Sequence, residues 1–299
     1  MDRDFAKNIL FPSLQAIRSD SKIKRFYFFP GLLSVVFLSV LLMYQVIYTY
    51  IVLLGNKDKA LELILQVFHS QYVTEILTTA IIFVIFYIIL IPIFEWALIR
   101  YINNRSNDGT ASRSDSIWFG IFRFYPLFEF NNIFNMFKFI SIINGYLFTL
   151  RFLGLEYLSF LSILFFIAFL FSIVLNILIA YAKYEIVLEN KWVFEAIWAS
   201  SQIALLNIKT TMRLYVLMFI MNIKVVLNFI VFLIFPIMAI FITGFITSQT
   251  FATIAFIILW GLFLFLLLVM GYMAWVLDIF TTAIWFHAYK HWKEKLTEK

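Results

Sequence analysis

Long apolar runs, separated by shorter polar intervals, extend over almost the whole chain. A helix needs roughly 20 apolar residues to cross the hydrocarbon core of a bilayer, and six runs approach or exceed that length, at about 26–54, 76–99, 133–150, 158–180, 214–245 and 251–286. The last two are longer than one crossing requires, which predicts tilted, kinked or partly interfacial helices. The pattern therefore predicts an all-α polytopic membrane protein with six transmembrane helices.

The polar intervals have a helical period of their own. An amphipathic segment precedes each pair of apolar runs, with a small residue followed by Ile in corresponding places, namely Ala16-Ile17, Gly120-Ile121 and Ala196-Ile197. Such segments are typical of helices that lie at the membrane surface. They suggest three repeats of an interfacial helix plus a transmembrane hairpin, at 1–102, 115–184 and 190–287. The alternative is that any six-span protein with amphipathic loops would show this order.

Between these segments the sequence predicts a polar linker and a basic tail. Residues 103–116 form the least hydrophobic stretch of the chain and predict a loop, after which Asp115 or Ser116 is expected to cap a helix that begins at Ile117. Residues 288–299 form a basic tail. We expect both the linker and the tail to be cytoplasmic.

Composition supports a membrane protein with bulky helices. Of the 299 residues, 64% are hydrophobic and only 13% are charged, and 38 Phe stand against 9 Gly. These values lie far from those of soluble domains. The sequence has no Cys, which excludes thiolate metal sites and cysteine nucleophiles.

The basic residues predict the topology. Of 23 Lys and Arg, 17 fall on one predicted side, in the first 25 residues, in 100–116, in 181–213 and in the tail. By the positive-inside rule both termini are cytoplasmic. The net charge of +6 then reflects topology, so we expect no nucleic-acid partner. The predicted partners are membrane lipids, further copies of the chain or other membrane proteins.

Charged residues within the predicted spans are candidates for function because their burial in a bilayer is costly. They are Glu95, Glu129, Lys138, Lys224 and Asp278. One interpretation is structural, with snorkelling side chains or an ion pair. The other is a polar pathway in which Lys224 pairs with Asp278 or Glu95.

Residues 181–213 form the longest polar interval, and Asn190 is expected to cap a helix there. Its polar residues have two interpretations. In the first, the helix braces the bundle at the lipid surface. In the second, Glu185, Glu189 and Glu195 with Gln202 line a vestibule or dock a partner, and the docking helix is the one that carries Glu195, Ser200 and Gln202.

Signatures of catalysis and metal binding are weak in the sequence. His287, His291 and Glu294 share a helical face, but an aromatic belt with a basic anchor explains their surroundings as well. The sequence contains no phosphate-binding glycine loop, HExxH or GxSxG motif. We therefore predict a protein that is not an enzyme and that has no cofactor or bound metal.

A resemblance to known proteins is carried by YAKYEIVLENKWVFEAIWASSQIALLNIKTT, FRFYPLFEFN and LIFPIMAI, within residues 115–245. This pattern resembles poorly characterised six-span bacterial and archaeal proteins related to the glycerophosphodiester phosphodiesterase membrane domain. The resemblance implies the plasma membrane of a prokaryote, and it does not extend to the soluble phosphodiesterase domain or its activity. The expected function is that of a structural or accessory subunit of a membrane assembly. The alternative is a transporter or channel for a small or lipid-like solute that uses the buried charges.

Overall fold

The fold is helical throughout the part of the chain that the structure describes. The structure is a computed structural model, and it describes residues 5–19, 23, 27–37, 69, 71–108, 111–221 and 249–297. Within these ranges every regular element is a helix and no strand occurs. The all-α class is therefore confirmed.

Between residues 111 and 221 the helices follow one another with short connections. A π-helical turn, Ala6–Leu10, and a 3-10 turn, Leu155–Tyr157, precede α1 and α7 respectively. The α-helices are α1 (Phe11–Ser19), α2 (Phe28–Phe37), α3 (Val73–Asp108), α4 (Arg113–Arg123), α5 (Tyr125–Asn135), α6 (Phe139–Leu153), α7 (Leu158–Leu178), α8 (Ala182–Glu189), α9 (Val193–Leu206), α10 (Ile208–Met221) and α11 (Gln249–Thr297).

Three helical stretches are long and apolar enough to cross a membrane, namely Val73–Asn107, Leu158–Glu189 and Thr253–Leu296. They coincide with the predicted runs at 76–99, 158–180 and 251–286. The bent pair formed by α9 and α10, whose axes differ by 99°, raises the number to four if it counts as one span. The predicted runs at 26–54 and 214–245 lie mostly outside the described residues. Six spans are thus not confirmed, although a membrane protein is supported.

The predicted run at 133–150 is not one helix. It is broken between α5 and α6, so that α6 has only 15 residues, a length of about 23 Å at 1.5 Å per residue. The break leaves the carbonyl of Phe137 outside any helical ladder. Asn176 Nδ2 donates to that oxygen at 2.9 Å, and Ser172 Oγ donates to it as well. Polar side chains of α7 thereby satisfy the backbone group that the break exposes.

The turn between α6 and α7 depends on a glycine. Gly154 has φ 97°, a conformation that side chains with a Cβ rarely adopt, and its amide donates to the carbonyl of Leu150 at 2.9 Å. Tyr146 and Ser162 are joined across the two helices by a hydroxyl–hydroxyl hydrogen bond of 2.9 Å. Gly154 therefore forms the turn after which α7 packs alongside α6.

The predicted linker at 103–116 is largely helical. α3 continues to Asp108, and α4 already begins at Arg113. The cap of α4 is Ser112, whose Oγ accepts from the amide of Asp115 at 3.3 Å. The prediction of Asp115 or Ser116 as the cap was wrong because Ser112 has the extended backbone that a capping residue requires.

The position of Asn190 relative to its helix also differs from the predicted one. It ends α8 in the left-handed conformation with φ 54°, and it does not begin the following helix. Asparagine tolerates that conformation better than most residues. Its side-chain oxygen accepts a hydrogen bond from Arg123 of α4.

The chain divides into two compact units by its contacts. Unit 1 comprises Met1–Ile23, Pro92–Asn222 and Ile279–Lys299, and unit 2 comprises Lys24–Ile91 and Ile223–Asp278. These units do not follow the predicted boundaries at 1–102, 115–184 and 190–287, and the threefold repeat is not confirmed.

In unit 2, α2 lies close to the part of α11 that belongs to this unit. A Cβ on Gly31 would stand 2.3 Å from the Cβ of Trp275, so the glycine permits the approach. Phe28 meets the Trp275 ring edge-on at a centroid distance of 4.8 Å. Phe37 stacks on Tyr87 of α3 at 4.2 Å.

In unit 1, a glycine lets α4 approach the backbone of α3. A Cβ on Gly120 would lie 2.5 Å from the carbonyl oxygen of Ile93. Next to this point Phe119 stacks on Trp96, and the Arg100 guanidinium lies 4.7 Å from the centre of the Phe119 ring. A close backbone approach and a cation–π interaction therefore both hold α4 against α3.

We predict that Gly120→Ala lowers the stability of the protein. The added methyl group clashes with backbone that has no side-chain freedom to move, which costs about 1–3 kcal/mol. Gly261→Ala is the matched control, because a Cβ there meets no atom within 4 Å. The measurement is the melting temperature of the detergent-solubilised chain. Equal melting temperatures for the two variants would contradict the close approach.

Candidate functional site

A fully buried carboxylate lies within unit 1. It belongs to Glu185 of α8, an eight-residue helix whose neighbouring positions Ile186 and Val187 are also buried. A carboxylate in such surroundings loses its hydration and must be compensated by cations or hydrogen-bond donors. The structure supplies both.

Two lysines and a tyrosine surround this carboxylate, and we call the four residues the Glu185 cluster. Lys293 Nζ lies 2.6 Å from Glu185 Oε1, and Lys191 Nζ lies 2.7 Å from Oε2. Tyr289 Oη donates to Oε1 at 3.2 Å. Each carboxylate oxygen therefore has its own ammonium group, an arrangement that offsets the cost of burial.

Local geometry places the members of the cluster. The left-handed Asn190 turns the chain after α8, so that the amide of Lys191 reaches back to the carbonyl of Glu185 at 3.4 Å. Tyr289 and Lys293 are four residues apart on α11 and share a face. Tyr184 packs its ring on Tyr289 at a centroid distance of 5.7 Å. The cluster thus joins α8 to the end of α11.

The charges of the cluster are balanced nearby. Glu189, one turn after Glu185, lies 3.9 Å from Lys293, and its side chain is 43% exposed. Two carboxylates therefore face two ammonium groups. Lys191 and Lys293 are 32% and 28% exposed, so each extends its charged end toward the surface while Glu185 stays buried. Long lysine side chains commonly snorkel in this way.

A second polar group lies beside the cluster, and we call it the Glu95 group. Lys183 of α8 forms an ion pair with Glu95 of α3, and Asn131 Nδ2 of α5 donates to the other carboxylate oxygen at 3.0 Å. Lys138 adds electrostatic attraction to Glu95. Lys183 and Glu185 both belong to α8, so this short helix contributes to both polar groups.

Aromatic hydroxyls complete the core around α8. Tyr184 Oη donates to the carbonyl of Thr282 at 3.0 Å, and Tyr181 shares a hydrogen bond of 3.0 Å with Thr211 of α10. Trp285 meets the rings of Tyr181 and Tyr215 edge-on. These contacts hold α10 and α11 against α8 and the Tyr181 that precedes it, as expected for a structural core.

The residues predicted as a polar pathway have different outcomes. Lys183 is the cation in contact with Glu95, whereas Lys138 contributes only electrostatic attraction to it. Asp278 lies on α11 within unit 2. Lys224 lies outside the described residues, so its pairing with Asp278 or Glu95 stays a prediction.

The predicted docking residues are divided between two faces of α9. Glu195 and Gln202 are exposed. Ser200 is fully buried, where it accepts from the amide of Tyr181 at 3.0 Å and donates to the carbonyl of Leu178 at 2.7 Å. It closes the turn between α7 and α8 and is not available to a partner.

Sequence reasoning missed most partners of the two carboxylates. Lys183 was grouped with the basic residues of its interval, and Tyr289 and Lys293 were assigned to an aromatic belt and a basic tail. One signal was present, since Glu185 stands among apolar residues of a helix and so requires a cation if it is buried. The identity of that cation depends on long-range packing, which spacing along the chain does not reveal.

Within the described ranges, no group of three or more His, Asp or Glu residues is arranged to hold a metal ion. Comparisons of this chain with protein-family models, with curated proteins and with solved structures find no match. The resemblance of residues 115–245 to the glycerophosphodiester phosphodiesterase membrane domain therefore stays a prediction.

We predict that Glu185→Gln destabilises the protein strongly. The change leaves Lys191 and Lys293 without their shared anion. Breaking a buried pair costs about 3–5 kcal/mol, and partial exposure of both lysines places the expected loss at the lower end of that range. Glu189→Gln is the control, because an exposed ion pair contributes only about 0–1 kcal/mol. Thermal unfolding in detergent measures both, and equal losses would contradict a special role for Glu185.

A second prediction concerns the Glu95 group. Lys183→Met alone leaves the carboxylate of Glu95 without its ammonium partner, whereas the double change Glu95→Leu with Lys183→Met removes both charges. Replacing both partners of a buried pair by apolar groups is often nearly neutral. We expect the double variant to be more stable than Lys183→Met in thermal unfolding. A double variant that is less stable than Lys183→Met alone would contradict this prediction and would show that apolar side chains cannot take the place of the ion pair.

Proposed function

We propose that the chain is a non-enzymatic integral membrane protein that acts as a structural or accessory subunit of a membrane assembly. The main support is an apolar surface that the described residues leave uncovered. Only 11% of the most apolar window of Leu158–Glu189 is buried. Large side chains such as Phe160, Ile163 and Phe166 are exposed along α7. Contiguous apolar surface of this kind is typical of contact with lipid or with other membrane proteins.

The polar groups support a structural role. Glu185 and Glu95 are each held by lysines and hydrogen-bond donors from other parts of unit 1. Carboxylates whose oxygens are engaged in this way brace helices against one another. The cluster at α8 thus supports a rigid core beneath the exposed surfaces.

A docking surface is supported by α9. Its inner face is buried through Ala196 and Ala204, whereas Phe194 is 76% and Trp198 is 70% exposed on the outer side. The helix has 14 residues, about 21 Å, which is too short to cross a bilayer core. Exposed aromatics next to the polar Glu195 and Gln202 resemble the aromatic anchors of protein interfaces. We infer that this outer face, the α9 face, binds a second membrane protein or another copy of the chain.

The proposal also includes the number of spans and their orientation in the membrane. Six spans with both termini on the cytoplasmic side of a prokaryotic plasma membrane are supported by the distribution of 17 of the 23 basic residues. In this topology the two carboxylate groups and the α9 face lie at the cytoplasmic ends of the spans.

The alternative function is a transporter or channel for a small or lipid-like solute. Its sequence support is Lys224 and Asp278, which would contribute charge to a pathway. Solute flux into vesicles that contain the purified chain, lost on Lys224→Met without loss of folding, would favour this alternative. The engaged state of Glu95 favours the structural function instead.

We predict that Phe194→Ala with Trp198→Ala releases the chain from its assembly. Truncation of a central aromatic contact costs about 2 kcal/mol or more, which weakens association by roughly 30-fold. The tagged full chain is extracted from its own cells in a mild detergent, and its mass is measured by light scattering. Wild type should form a complex of fixed stoichiometry, whereas the double variant should run as a single chain with an unchanged melting temperature.

Phe122→Ala is the matched control for this experiment. Phe122 is 79% exposed on α4, so its truncation removes one equally exposed aromatic ring away from α9. We expect the control to retain the complex. Wild-type protein that purifies as a single chain with lipid alone would contradict the proposed function. A complex that survives the α9 substitutions would contradict the assignment of the α9 face.

A further inference from the structure

The helix α4 carries an aromatic surface that the described residues leave uncovered. Trp118 is 56% and Phe122 is 79% exposed, and the two rings stack on each other at a centroid distance of 5.8 Å. Ile121 beside them is exposed as well. On the other side of the helix, Ser116 and Gly120 are buried. α4 is therefore amphipathic in an unusual sense, because its outer side is the apolar one.

The contact with α3 places α4 near the end of an apolar run. Gly120 approaches the carbonyl of Ile93, which lies six residues before Ile99, the last residue of the run at 76–99. At 1.5 Å per residue this separation is about 9 Å along α3. Helices that lie at a membrane surface bury their apolar side about 5–10 Å into the boundary between headgroups and acyl chains. The packing of α4 against α3 fits that depth.

The length and the residue types of α4 fit the same location. The helix has 11 residues, about 16 Å, which is too short to cross a hydrocarbon core of about 30 Å. Tryptophan is enriched where a membrane meets water, because its ring is apolar and its N–H is polar. A helix that lies along the surface presents Trp118 and Phe122 to the acyl chains over most of its length.

The charges on and beside α4 favour an anionic surface. Its charged residues are Arg113, Asp115 and Arg123, and both arginines are exposed. Arg123 donates to the side-chain oxygen of Asn190, a neutral group that leaves its positive charge uncompensated. Arg100 of α3 adds a third guanidinium next to α4. Guanidinium groups bind phosphates, and basic residues near a membrane surface attract anionic lipids.

We propose that α4 binds the surface of the membrane, with Trp118 and Phe122 among the acyl chains and with Arg113 and Arg123 at the phosphates of anionic lipids. The surface is that at the Arg100 end of the apolar run of α3. This end is cytoplasmic in the proposed topology, on which the inference rests. Lipid thus covers the outer side of α4, whereas protein covers the α9 face.

The test uses a single introduced cysteine, because the chain has no Cys of its own. Phe122→Cys is labelled with bimane, and the full chain is reconstituted in vesicles of phosphatidylcholine and phosphatidylglycerol whose acyl chains carry a nitroxide quencher. We expect a large loss of fluorescence, because acyl chains contact this position. Lys295→Cys is the matched control, since Lys295 is exposed on α11 beyond the run at 251–286, and its label should keep its fluorescence. A label at position 122 that is quenched no more than one at position 295 would overturn the proposal, whether water or another protein covers α4 instead.

The preference for anionic lipid is tested by placing the nitroxide on only one of the two lipids. At equal amounts, spin-labelled phosphatidylglycerol should quench position 122 more than spin-labelled phosphatidylcholine, because each arginine near the surface enriches anionic lipid about fivefold. Arg113→Gln with Arg123→Gln should remove the difference, whereas Arg113→Lys with Arg123→Lys keeps both charges and should retain it.

Equal quenching by the two lipids, or a difference that survives the change of both arginines to Gln, would overturn the role of the arginines. The quenching is measured independently of the mass of any complex. Failure of this inference is therefore distinguishable from failure of the proposed assembly.

Discussion

The described core of unit 1 depends on the ion pairs that compensate the buried carboxylate of Glu185. Its two oxygens are engaged by Lys191 and Lys293, which come from the loop after α8 and from the end of α11. A short helix between two apolar ones has little stability of its own. The ion pairs and the tyrosine contacts around α8 therefore hold this helix in place. The ion pair between Lys183 and Glu95 also holds α8 against α3.

The long apolar helices could be predicted from sequence because a bilayer imposes a simple length requirement. The run at 158–180 matches α7 closely, since it contains no charged residue, proline or glycine. The run at 133–150 was misjudged because its break is stabilised from outside, by Asn176 and Ser172 of α7. Hydropathy alone does not detect a backbone carbonyl that a distant side chain satisfies.

The candidate site was predictable only in part, for a related reason. The sequence indicates that burying the charge of Glu95 within an apolar run is costly, and the structure shows the cation and the hydrogen-bond donor that compensate this charge. The cation came from Lys183, 88 residues away, a partner that no local pattern indicates. The prediction for Ser200 fails in the opposite way, because a polar residue on an amphipathic helix is expected to be exposed and Ser200 is buried. Its hydroxyl instead bonds backbone groups of the preceding turn, so burial and polarity coexist there.

The broken connection between α5 and α6 has a consequence for biogenesis. The carbonyl of Phe137 is satisfied by side chains of α7, which the ribosome synthesises about 35 residues later. Until α7 stands beside it, that carbonyl has to remain hydrated, because an unpaired backbone group is costly in hydrocarbon. The polar contacts at this break therefore form only after α7 has been synthesised, and α6, the Gly154 turn and α7 acquire their final packing together.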